Sequence, residues 1–434
     1  MDTNMESLFQ KDKKYIIHGW GYNPVVIVKG KGAIVWDVEG REYIDCISQC
    51  AGPVGIGHSH PKVIEAVIKQ LQEISHVFMG YVIPKRVELA EKLEKILPQG
   101  FNKFYFTSGG SEAVETALKG AMRITKKKEI ISLYLAYHGG TIACLNLGQP
   151  WHRDWLPIVP GFRQIPPPYC YRCFYGKEYP GCDFECARAL EYMIKYGSHN
   201  DVAAFILEPL MGNGGHIYPP SQEYAKIIME TCQKHDVLII ADEIQTGFGR
   251  TGKMWGFEYI GLKPDIVCFG KPLGGGLPIE AAIFNEEIVP EGFGEEVWHA
   301  FTFSGSPVMC AAACAAIDVV LEEGLPSRAA QMGGYITEKL KRLQDEHELI
   351  GDVRGPGLFI GVELVRNKRT KEKATKEAIT VIQESLKRGV MFGLSNMPGI
   401  GNVIKIKPPL IISRELADKA LNVFSDALKL LPSS

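Results

Sequence analysis

Residues 237–245 read VLIIADEIQ, and residues 265–276 read DIVCFGKPLGGG. Each is a short apolar run that stops on a polar or glycine-rich element. Apolar runs without alternation are the pattern of strands buried on both faces, as in a parallel sheet. The same texture recurs on either side. Lys103–Phe106, Glu129–Leu133 and Asp201–Leu207 read as further strands. Ser111–Arg123 and Tyr224–His235 read as helices, the first with Val114, Ala117, Leu118 and Ala121 on one face. Strand and helix in alternation predict an α/β fold, a large three-layer αβα domain on a mainly parallel sheet.

From about Ser327 the pattern changes to helix Gln331–His347, strand Leu358–Val365, helix Lys376–Arg388, strand Val403–Ile406 and helix Glu415–Leu431. The opening residues read as short strands, a meander around Glu39-Gly40. The expected division is an N-terminal segment, 1–55, joining a small α+β domain, then a large domain, 56–326, and the C-terminal small domain, 327–434. The basic stretch 366–376, RNKRTKEKATK, reads as a solvated loop and helix start.

Composition sets the outer bounds. The 434 residues carry a net charge of −2, so no broad basic field is available for nucleic acid or an anionic membrane. No apolar run approaches the ~18 residues of a membrane span, and the first residues lack the basic and apolar parts of a leader. Eleven cysteines are far from a disulfide scaffold. A cytoplasmic protein with reduced thiols is expected. Glycine is in excess, 46 residues against about 30 at the average of ~7%.

Ligands of open α/β sheets bind beyond the carboxyl ends of the strands. Here every strand end carries something. After Phe106 come Gly109, Gly110 and Ser111; after Leu133, Tyr137 and His138; after Leu207, Glu208 and three glycines; after Ala241, Asp242 and Gln245; after Phe269, Lys271. Gly110 and Ser111 at a helix start offer free N–H groups to an anion. Asp242 at the end of an apolar strand needs a cationic or hydrogen-bonding partner. Lys271 between an apolar strand and three glycines is placed for partial desolvation, which lowers its pKa and suits Schiff-base chemistry. Phosphate cradle, buried acid and buried lysine together match pyridoxal 5'-phosphate. Gly247-Phe248-Gly249-Arg250-Thr251-Gly252 matches GxGxxG, but five residues separate it from its strand and no helix follows, so it is not read as a dinucleotide site.

The stretches FTSGGSEAVETALKGA, YHGGT, ILEP, ADEIQTGFGRTGKMW, FGKPLGGGLPI, TFSGSP and GDVRGPGLFIGVEL resemble the class III (ω-) aminotransferases, pyridoxal-phosphate enzymes of fold type I. The resemblance implies a transaminase that moves an amino group from an amine or amino acid to a 2-oxo acid such as pyruvate or 2-oxoglutarate. It implies Lys271 as the Schiff-base lysine and proton shuttle, Asp242 as partner of the pyridine nitrogen and Tyr137 as the aromatic stacked on the ring. Gly110 and Ser111 would hold the phosphate, Gln245 the 3-hydroxyl, and Glu208 would sit near the cofactor. His138 follows Tyr137 as a structural neighbour. Thr302 resembles the threonine that reaches the phosphate of the neighbouring subunit, which implies a homodimer or dimer of dimers. Lys405 stands where many members carry an arginine for the substrate carboxylate; the alternative is an exposed strand residue.

The segments GDVRGPGLFIGVELVRNKRTKE and MPGIGNVIKIKPPL also resemble the dialkylglycine decarboxylases, although Asn213 replaces a serine and Gln49 is out of register. Racemisation or decarboxylating transamination is therefore the alternative within the family. An alternative of another class, a non-catalytic metal-binding or interaction protein, is raised by Cys170, Cys173, Cys182 and Cys186. Their CxxC–x8–CxxxC spacing suits tetrahedral zinc or a loop packed by reduced thiols.

Overall fold

The computed structural model describes residues 5–19, 23–148, 155–395 and 399–431. Its centre is a seven-stranded sheet of β1 (Phe101–Thr107), β2 (Glu129–Leu133), β3 (Phe162–Ile165), β4 (Val202–Leu207), β5 (Leu238–Asp242), β6 (Ile266–Phe269) and β7 (Glu280–Asn285). The spatial order is β1-β7-β6-β5-β4-β2-β3. The pairs from β6 through β5, β4 and β2 to β3 are all parallel. Only β7 runs the other way, antiparallel to both neighbours. All six residues of β4 and all four of β6 are buried, as their uninterrupted apolar character requires. Helix α1 (Gly110–Thr125) lays Ala113, Val114, Ala117, Leu118 and Ala121 on the sheet. Between β4 and β5 the chain crosses through α2 (Glu223–Lys234).

Several elements were not legible. β3, FRQI, is short and mixed in polarity, and β7 begins on a charged residue. Helix α3 (Pro307–Glu322) is apolar around most of its circumference because it is wedged between two cores, so it shows no stripe. The opening residues are not all strand, since Met5–Tyr15 is helical. The expected meander follows it as Ile27–Lys31, Ile34–Asp37 and Glu42–Asp45. Glu42–Asp45 pairs in parallel with Val390–Met391, which ties the two ends of the chain together.

The remaining C-terminal strands form a separate sheet, Ile350–Arg354, Ile360–Asn367, Val403–Ile406 and Gly393–Ser395 in order, with the short Glu372–Lys373 paired to Ile360–Asn367. Helices Leu325–Glu346, Thr375–Lys387 and Arg414–Lys429 supply apolar residues to the core beside it. In the basic stretch, Arg366 is exposed and pairs with Glu372 across a hairpin and with Glu377 on the following helix. Met397 and Pro398 of the MPGIG segment lie outside the described residues.

Candidate active site

The carboxyl ends of β4, β5 and β6 open on a cavity of about 190 Å3. It is lined by Gly110, Ser111, Tyr137, His138, Glu208, Asp242, Gln245 and Lys271, which are all the expected residues except Thr302 and Lys405. Ile244 and Glu280 complete it with Gly139.

Asp242 ends β5 and is buried. Its Oδ2 lies 2.7 Å from His138 Nδ1, and its Oδ1 accepts the Ile244 backbone N–H at 3.1 Å. Because a carboxylate only accepts, Nδ1 carries the ring proton, and the histidine fixes the carboxylate's orientation. His138 Nε2 remains buried and unpartnered among the described residues. Glu208 directs both oxygens at backbone, accepting from Tyr137 N–H at 2.9 Å and Gly212 N–H at 2.8 Å. Burial holds its acid above the usual carboxylate range. The acid therefore pins the Tyr137 loop, and no arginine pairs with it among the described residues.

Lys271 lies one glycine beyond the end of β6, with φ of +39°. Glycine tolerates that region and lysine rarely occupies it, so the surrounding structure holds the residue in place. Burial lowers the pKa of its amine, while Asp242 and Glu208 act in the opposite direction. The amine has no ion-pair or hydrogen-bond partner among the described residues. Ser111 at the start of α1 accepts the Gly140 N–H on its Oγ at 2.8 Å. A Cβ on Gly139 would fall 2.4 Å from that oxygen, so only glycine allows the two loops to close on each other.

Lys405 is buried in the middle strand of the C-terminal sheet, not exposed, and its Nζ donates to Asn213 Oδ1 at 3.0 Å. Burial lowers its pKa, and Lys271 is close enough to act in the same direction. Thr302 is exposed and stands outside the cavity of its own chain. Three residues were missed. Ile244 and Glu280 line the cavity, and Lys407 donates to Gln245 Oε1 at 2.9 Å with its Nζ 4.0 Å from the centre of the Phe359 ring. The signal for Lys407 was present in VIKIK, where alternation would put Lys405 and Lys407 on one strand face.

The GxGxxG decoy is a structural tie. Its Arg250 is fully buried and donates to the Leu358 and Pro408 carbonyls and the Ser48 hydroxyl. The cysteine loop packs on the C-terminal sheet, where Tyr169 Oη and Arg172 Nε both reach Glu363 at 2.5 Å. Burial and the neighbouring thiols push Cys170 up to about 11 and Cys186 up to about 12, and all eleven cysteines are free. Among the described residues no group of three or more His, Cys, Asp or Glu side chains is placed to hold a metal ion, and no helix is long and apolar enough to cross a membrane.

Comparison with known proteins adds a family. The class III aminotransferase model matches residues 17–428. The leucine/methionine racemase of Thermococcus litoralis is 38% identical over 94% of this chain and 91% of its own. The acetylornithine aminotransferase of Methanothermobacter thermautotrophicus is 36% identical over 98% of both chains. An amine transaminase from an uncultivated Pseudomonas species, solved in its PLP-bound form, superimposes with a TM-score of 0.90. It is 32% identical over 96% of this chain and 99% of that one.

Proposed function

We propose a division of labour among these residues from the premise that the chain belongs to the class III aminotransferase family. It is a pyridoxal-phosphate enzyme that moves an amino group from an amine or amino acid to a 2-oxo acid. The observation that carries the residue roles is that Lys271, Asp242 with its histidine, and the first residues of α1 all line one cavity. The cavity fits the cofactor: an unpartnered amine, a buried fixed carboxylate and a glycine-bounded cradle each meet one of its functional groups.

When bound, pyridoxal phosphate supplies an aldehyde that condenses with amines and a ring that accepts the electron pair released at the α-carbon. The chain does the rest. Asp242 would hold a proton on the ring nitrogen, and His138 keeps the carboxylate oriented. Tyr137 and Ile244, which both line the cavity, would pack against the ring. The backbone of Gly110 and Ser111 seats the phosphate at the positive end of α1. Gln245 contacts the 3-hydroxyl, with its amide oxygen held by Lys407. Lys271, whose amine burial makes less basic than a free lysine's, would form the covalent attachment and move a proton at the substrate's α-carbon. Lys405 is the cation for a substrate carboxylate, which it meets as a single charge without arginine's fork.

Thr302 serves the partner's site in a homodimer or dimer of dimers. Exposed Phe78, Tyr81 and Val82, with Phe303 packed edge-on to His76 at 5.2 Å, support an interface beside it. A cytoplasmic location accords with the eleven free cysteines. The small domain is proposed as 1–55 with 327–434 and the large one as 56–326.

The test is a half-reaction screen of the holoenzyme against amines and amino acids, without any oxo acid. Loss of the yellow colour with one equivalent of oxo product supports transamination. The racemase relative favours a second reading, and scrambling of one enantiomer without oxo product would establish it instead. Lys271→Ala is expected to lose covalent attachment of the cofactor, read as the absence of a borohydride-fixed adduct.

A further inference from the structure

Glu280 opens β7 directly opposite Thr107, the last residue of β1. It therefore stands beside the Ser108–Ser111 turn that begins α1, and its side chain lines the same cavity as Gly110, Ser111 and Lys271. The Lys271 backbone N–H donates to its carboxyl. Its Oε2 is buried and has no partner among the described residues. A Cβ on Gly270 would fall 2.5 Å from Glu280 Cγ, so the glycine before Lys271 leaves the room this side chain occupies.

The charges facing it are few. Lys271 attracts a carboxylate there, and Glu112 repels one. The Glu112 carboxylate is itself engaged by the Ser108 N–H at 2.9 Å and hydroxyl at 3.0 Å. Among the described lining residues Lys271 carries the one amine, and no guanidinium lines the cavity. A phosphate seated on the N–H groups of Gly110 and Ser111 thus meets a carboxyl where an arginine would be the simpler choice. Ionised, that carboxyl repels a dianion. Protonated, it is a hydrogen-bond donor.

We infer that Glu280 is a phosphate-recognition residue, whose protonated carboxyl donates a hydrogen bond to the phosphate of pyridoxal phosphate held at the start of α1. This rests on the reading that the turn seats the phosphate. Burial pushes the Glu280 acid up to about 7, so the proton is available near neutrality. The sign follows. Below about 7 the group is protonated before the cofactor arrives. Above it, binding must take up a proton, and affinity falls by up to about tenfold per pH unit.

The experiment titrates apoenzyme with pyridoxal phosphate and with pyridoxal, which lacks the phosphate, from pH 6 to 9. Wild type is compared with Glu280→Gln, whose amide donates at every pH without charge. The expected result is equal affinity for pyridoxal phosphate at pH 6 and, at pH 9, wild-type binding weaker by at least about tenfold. Calorimetry at pH 8 should show wild type taking up about one proton more with pyridoxal phosphate than with pyridoxal. Pyridoxal should bind both proteins alike, which shows that the variant is folded and Lys271 accessible. Identical pH profiles for the two proteins, or equal proton uptake for the two compounds, overturns the inference. If Glu280→Gln binds neither compound, the wild-type proton uptake decides. If neither compound colours the wild type, it is the cofactor site that fails. If the phosphate adds no affinity to the wild type, its seat lies elsewhere and the inference falls with it.

Discussion

Lys405 and Lys407 illustrate how much chemistry one strand and its end can hold. Two residues apart, Lys405 inside the strand and Lys407 just past its end, both are buried, one against Asn213 and the other against Gln245. Burial, reinforced by Lys405 and Arg250, holds Lys407 well below the usual lysine range. An unfolded lysine takes up its proton below about 10.5. Between the folded value and that limit the unfolded state binds more protons, so stability rises with pH. Lys407→Met is expected to flatten this rise by as much as ~1.4 kcal/mol per pH unit, read from denaturant midpoints across pH 7–10. Lys405→Ala is expected to raise KM for carboxylate-bearing donors by about tenfold to a hundredfold, from the loss of about 1.5–3 kcal/mol of charged hydrogen bonding. The kcat for a simple amine should stay near wild type. Equal effects on both substrates would remove Lys405 from the carboxylate site. At this scale Lys271, Asp242 and the α1 start were legible because each interrupts an apolar run. Glu280 was not, since a charge at the start of a strand is ordinary until its neighbours are known.

Among the elements, the loop after β5 has a keystone in Glu243. It is fully buried and accepts Thr246 Oγ1 at 2.7 Å, Gly256 N–H at 2.9 Å and Phe257 N–H at 2.5 Å. It therefore closes the loop that carries Gln245 and Arg250. Glu243→Gln replaces one accepting oxygen with an NH2 aimed at a donor. A loss of about 1–3 kcal/mol is expected, read as a lowered denaturant midpoint. The parallel strands were readable from sequence because burial on both faces removes alternation. Helix α3 and β7 were not, because α3 is shared between two cores and β7 runs against its neighbours. Pattern reports what one segment buries, not what it is buried against.

For the whole molecule, the N-terminal meander and the C-terminal strands meet across some 345 residues of sequence, Ile44 beside Val390. Lys405, in the neighbouring C-terminal sheet, lies within electrostatic reach of Lys271. The proposed interface gives a prediction of the same scale. Val82 is 87% exposed in a patch with Phe78 and Tyr81. Val82→Asp is expected to shift the protein toward monomer in sedimentation and to weaken cofactor retention, since Thr302 would no longer reach a neighbouring site. A monomeric variant with unchanged retention would leave Thr302 without that role.

The amino-acid sequence by itself determined the mainly parallel sheet, the strand ends that line the cavity and the cofactor of the family. Those are local facts, because an apolar run and the polar residue closing it lie within a few positions. Tertiary structure alone decided that Lys405 is buried, that Arg250 is a tie, that Glu208 holds backbone and that Glu280 shares the cavity. Each depends on a partner tens to hundreds of residues away, and burial and charge act through space rather than along the chain.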